Sequence, residues 1–150
     1  MNMLVAFLHH LAAFTLVSAL VAEAVLIAQP VTMSSARTLR FLDALYGMSA
    51  VLIVAMGVLR VIYFEKGSDY YLHNHAFLFK MAVFAVVGLM SIYPTVVFLR
   101  WGKTIKQNQT PTLTASELKN IRRILTLELC GIILIILNAV LMAKGVGFSG

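Results

Sequence analysis

Four long apolar runs decide what this chain can fold into. They extend from about Leu4 to Ala28, Phe41 to Phe64, Ala76 to Leu99 and Ile121 to Met142. Each exceeds the roughly 20 residues that a helix needs to cross a ~30 Å hydrocarbon core. The runs are continuous rather than alternating, so membrane strands are a poor alternative. The expected architecture is all-α: a polytopic transmembrane four-helix bundle, one domain over residues 1–150, with spans at about 4–28, 41–64, 76–99 and 121–142.

Composition agrees with this reading. The chain is 61% hydrophobic and 12% charged, against roughly 45–50% and 25% for soluble domains. The net charge of +6 does not point to nucleic acid, because the basic residues lie between apolar runs rather than in one patch. The single cysteine, Cys130, excludes an internal disulfide and a cysteine-rich metal centre. A cleaved signal peptide is the weaker reading of the first run, which lacks a basic leading segment and is too long for that role.

The connections follow from turn chemistry. Gln29 to Ser35, with Pro30, ends the first run, and Lys66-Gly67-Ser68-Asp69 makes a turn after the second. Gly102 to Pro111 is read as a polar loop, and Thr114-Ala115-Ser116-Glu117 as a capping box that opens the fourth helix. Pro94 lies inside the third span, where neighbouring helices can satisfy the freed carbonyl.

Eight of the twelve lysines and arginines lie at one end: Arg37, Arg40, Arg100, Lys103, Lys106, Lys119, Arg122 and Arg123. The positive-inside rule makes that end cytoplasmic. The expectation is a bacterial inner-membrane protein with both termini extracytoplasmic, and with Trp101 and Tyr63 as interfacial aromatics.

The four histidines fall in two clusters, His9–His10 and His73/His75. The topology puts both at the outer end, with Arg60 and Lys80 close below. Imidazoles there suit haem iron or a transition metal, with Arg60 and Lys80 as partners for carboxylates. The competing reading is that interfacial His and Tyr are amphipathic anchors. Helical phase places His9 on the face of Ala12, Leu16, Ala19 and Glu23, and His10 on that of Phe14, Val17 and Val21.

Glu128 falls near mid-membrane, where an ionised carboxylate costs about 2.5 kcal/mol or more. It has to be neutral, paired or beside water; Ser49, Asn138 and Tyr46 are candidate partners. Glu23 and Asp43 lie nearer the basic end, with Arg37 and Arg40 as candidate partners. Glu23 and Glu128 are the expected proton-handling groups.

The motifs HHLAAF, LDALYG, GVLRVIYFEKG, YYLHNHAFLFKMAVFAVVGLMSIYPTVVFLRW and RRILTLEL occur in order along nearly the whole chain. They resemble the bacterial predicted membrane protein family called domain of unknown function 2214 (DUF2214), a resemblance that implies four spans and no particular activity. His10 (or His9), Phe77-Leu78-Phe79-Lys80 and Glu128 are more distantly similar to elements of the four-helix haem-containing protoporphyrinogen oxidases. Copper-resistance D-type membrane proteins are likewise distantly similar, as compact bundles. The oxidase likeness implies haem b on the span-one histidine, Lys80 near haem or substrate carboxylates, and a haem-dependent oxidoreductase.

The expectation is therefore a haem-b or metal-binding redox protein, with cofactor-binding residues His9, His10, Arg60 and Lys80, or metal ligands His9, His10, His73 and His75. The alternatives are a small transporter or channel for a metal ion or small solute, and a non-catalytic subunit of a membrane complex. Its partners would be the lipid bilayer and a homo-oligomer or a redox protein.

Overall fold

The computed structural model of the protein describes residues 2–59, 62–63 and 75–143. Four helices account for nearly all of them: α1 (Asn2–Ile27), α2 (Met33–Leu59), α3 (His75–Lys106) and α4 (Ala115–Ala143). All four are long and apolar enough to cross a membrane. The helices form a closed ring: α1 packs on α2 and α4, and α3 on α2 and α4, while among the described residues the backbones of the diagonal pairs do not come into contact.

Helix ends explain where these elements start and stop. α2 begins at Met33, eight residues before its apolar run, because Thr32 and Ser35 cap each other. The Ser35 N–H donates to Thr32 Oγ1 (3.1 Å) and the Thr32 N–H to Ser35 Oγ (2.8 Å). This is a capping box with serine in the place of the usual Glu or Gln, so Ser34 and Ser35 belong to the helix rather than to the linker. α3 outlasts its apolar run and ends at Lys106 in a Schellman-type cap. Asn108 takes the left-handed conformation (φ 56°), and the Asn108 and Gln109 N–H groups donate to the Ile105 and Thr104 carbonyls. The expected loop from Gly102 is thus residues 107–114. α4 opens on the expected capping box: Thr114 N–H donates to Glu117 Oε2 (3.0 Å) and Glu117 N–H to Thr114 Oγ1 (3.2 Å). α3 continues through Pro94, which is fully buried.

Lipid gives helices no hydrophobic reason to associate, so close packing of small and well-fitted side chains holds the ring together. Ala12, Ala19 and Ala36 are buried at helix contacts. Gly131 of α4 meets Val87 of α3 so closely that a Cβ there would lie 2.5 Å from Val87 Cγ2. Arg122 ties α4 to the end of α1, donating to the carbonyls of Ile27 (3.1 Å) and Ala28 (3.0 Å). Those carbonyls have no partner within their own helix.

The core is concentrated toward the basic end. Leu20, Ile27, Leu39, Phe98, Trp101, Ile121 and Leu125 form it. Trp101 is 4% exposed and its ring sits 5.0 Å from that of Phe98, so it is a core residue rather than a lipid-facing anchor. Tyr63 is exposed, as expected. Toward the opposite end, no described residue beyond Ala12, Ser49, Val87 and Ile132 is buried on its helix.

Candidate functional site

The histidine end is assembled from the start of α1, the end of α2 and the start of α3. His9 is half-buried on the α1–α2 contact, its Cε1 3.8 Å from where a Cβ on Gly57 would stand. A Cβ there would make ordinary van der Waals contact with the ring. His10 is exposed and its Nδ1 donates to the Ala6 carbonyl at 2.6 Å. The two rings are 5.9 Å apart and nearly perpendicular. Helical phase thus separates the pair as expected: His9 joins the packed face and His10 the outer one. His75 is the exposed first residue of α3. Lys80 is half-buried, with Nζ 5.2 Å from the centroid of the Phe77 ring. Arg60 and His73 lie outside the described residues. α1 and α3 are diagonal, and among the described residues no group of three or more His, Cys, Asp or Glu side chains is placed to hold a metal ion.

A second constellation lies deeper, and every helix contributes to it. Three carboxylates are buried there: Glu23 of α1 (2% exposed), Asp43 of α2 (7%) and Glu128 of α4 (1%). Each lies within electrostatic reach of the other two. α3 supplies Thr95, whose Oγ1 donates to Asp43 Oδ1 at 2.7 Å. Tyr46 of α2, also buried, reaches across the bundle centre and donates its hydroxyl to Glu128 on the diagonal helix. Ser49 is buried one turn further along α2.

Two oxygens in this layer stand out. Glu23 Oε1 and Glu128 Oε1 are fully buried and accept no hydrogen bond among the described residues. Buried polar atoms without partners are uncommon, because desolvation costs about 1–3 kcal/mol or more for each. The arginines expected to balance the acids do not do so. Arg37 is exposed. The Arg40 guanidinium turns away onto α3, into space left by Gly102, where a Cβ would come within 3.0 Å of Nη2. No ion pair joins either arginine to Glu23 or Asp43 among the described residues. Of the three candidate partners of Glu128, Tyr46 is the one that bonds it, while Asn138 donates to the Leu134 carbonyl of its own helix (2.9 Å). Sequence reasoning did not single out Thr95. Its only signal is a hydroxyl beside Pro94 within an apolar span.

Chemically, this layer can hold protons. Three carboxylates on three helices cannot all carry charge in a dry interior without compensation, and the nearby groups supply only neutral donors.

A family model described as a predicted membrane protein, DUF2214, matches residues 1–147. No curated protein and no solved structure matches the chain.

Proposed function

We propose, for a chain that belongs to the DUF2214 family of predicted membrane proteins, that its work is done by the Glu23–Asp43–Glu128 layer. The layer binds and releases protons inside the membrane, the elementary step of proton-coupled transport. One observation carries this reading: Glu23 Oε1 and Glu128 Oε1 are buried beside Asp43 with no partner of their own. A carboxyl group in that setting is stable when a proton sits on it. The looser half of the bundle, beyond Ser49 and Ile132, supplies the approach. The positive-inside rule makes that approach extracytoplasmic, in a bacterial inner membrane.

Dicyclohexylcarbodiimide tests the reading, because it modifies protonated carboxyl groups in apolar surroundings. Modification of Glu23 or Glu128, followed by mass spectrometry, should rise as pH falls and disappear in Glu23→Gln or Glu128→Gln. Protection by sodium or lithium at fixed pH would assign a cation in place of the proton. Absence of modification at either residue from pH 5 to pH 8 would refute both.

A haem-b or transition-metal centre at the histidine end is the second reading. It rests on the half-burial of His9 beside Gly57 and on His10, His75 and Lys80 lying at the same end. A visible spectrum of the purified protein, oxidised and then reduced, with metal analysis, tests it. Loss of a Soret band or of bound metal in His9→Ala would support it, and a colourless, metal-free protein would end it.

A further inference from the structure

Arg40 raises a question that the carboxylate layer leaves unanswered. Its Nε is buried and has no hydrogen-bond partner among the described residues. Its guanidinium is seated on α3 by the missing side chain of Gly102. Arginine stays charged at all relevant pH values, and its fork of donors matches phosphate and carboxylate oxygens. None of the described carboxylates pairs with Arg40, which leaves its Nε able to meet an acceptor from outside the chain.

Arg40 also stands at one end of an open groove of about 890 Å³ between α1, α2 and α3. α2 forms its floor, with Gly47, Met48, Val51 and Ala55; Leu11 of α1 and Leu99 of α3 stand on its walls. From Arg40 to Ala55 is fifteen residue steps, about 22 Å of helix at about 1.5 Å per step. One leaflet of hydrocarbon is about 15 Å deep. The groove therefore runs from the basic end of the bundle past mid-membrane, which suits a chain anchored at Arg40. Arg37, Arg100 and Lys103 are exposed at the same end and add to the attraction for an anionic head. Asp43 also lines the groove, but it is held by Thr95 and lies one helical turn further into the membrane than Arg40. A negative head is thereby kept at the Arg40 level and an uncharged tail beyond it.

We infer that this groove is a binding site for an anionic phospholipid of the leaflet at the basic end, its phosphate on Arg40 and one acyl chain along α2 over Gly47.

Gly47 makes the tail half of the site separately testable. A Cβ added there meets nothing within 4 Å, so a side chain can be built out into the groove from that position. Delipidated protein in a neutral detergent would be titrated with phosphatidylglycerol and with phosphatidylcholine, read by native mass spectrometry. The site predicts a retained phosphatidylglycerol and weaker phosphatidylcholine. Arg40→Gln should lower phosphatidylglycerol affinity roughly fivefold, the equivalent of one basic contact. Gly47→Phe should lower it at least as much with Arg40 intact, and Arg123→Gln on α4 should leave it unchanged. Equal loss in Arg123→Gln would mean diffuse surface attraction and would overturn the site. So would inorganic phosphate competing fully while Gly47→Phe has no effect, which would indicate a free-anion site. A phosphatidylglycerol carrying a photoreactive acyl chain gives a reading that needs no variant. Cross-links on residues 44–55 and 95–99 support the site, and cross-links confined to the outer face of α4 refute it.

Discussion

Gly131 offers a sharp test of how tightly α3 and α4 are fitted. In Gly131→Ala the new methyl carbon would sit 2.5 Å from Val87 Cγ2, whereas carbon atoms in good contact are about 3.5–4.0 Å apart. The shortfall is about 1 Å. Val87 cannot easily yield, because it is 6% exposed and β-branched side chains on helices are nearly fixed at χ1. The helices must therefore separate, at a cost of about 1–3 kcal/mol by analogy with overpacked cores. Against this, alanine gains about 1 kcal/mol over glycine in a helix interior. The net effect of the single change is small or destabilising, and the informative quantity is its dependence on Val87. In a Val87→Ala background the clash vanishes and only the helix gain remains, so Gly131→Ala should become stabilising by about 1 kcal/mol. The coupling between the two positions should be about 1–3 kcal/mol. Reversible unfolding of the four single, double and parent proteins in mixed micelles measures it. Trp101 is the only tryptophan and is buried against Phe98, so its fluorescence reports the transition. A coupling below about 0.5 kcal/mol, or a stabilising Gly131→Ala in the parent protein, would refute the close approach of these helices.

Three further outcomes follow from the bonds described above. Tyr46→Phe should destabilise by about 1–3 kcal/mol by leaving the Glu128 carboxyl without its donor; the same micelle unfolding should show a smaller loss in a Glu128→Leu background. Thr95→Val, which keeps the shape but removes the hydroxyl bonded to Asp43, should cost about 1–2 kcal/mol and is checked against Thr95→Ser, which retains the donor. Arg122→Ala should loosen the end of α1 by freeing the Ile27 and Ala28 carbonyls, seen as faster amide hydrogen exchange at residues 24–29 with the α2–α3 contact unchanged.

The four helices were legible because bilayer thickness fixes the length of a span, and little else competes with it. The boundaries were less so. α2 starts at Met33 because a Thr32–Ser35 pair caps it, and serine in the N3 place is an indistinct signal beside Glu117 in the corresponding place of α4. Trp101 reads as an interfacial anchor from its position in the chain, yet the phase of α3 turns it inward onto Phe98. The split between His9 and His10 was legible from a 100° rotation per residue. The carboxylates were visible as charges in apolar runs, but their convergence was not, since it depends on the register in which α1, α2 and α4 pack. Arg40 illustrates the same limit: its sequence neighbour Asp43 looked like a partner, and the space that draws it away is created by Gly102, sixty-two positions along the chain.

The uneven distribution of the core has a mechanical meaning. Side chains interlock around Phe98 and Trp101 and slacken past Ser49 and Ile132, which makes the molecule like tweezers gripped at the arginine-rich end. Small rotations about that grip would be felt most at the histidine end of the described helices. Glu128 and Tyr46 lie just where gripped and free lengths meet, so their bond is the latch most directly strained when the tips part.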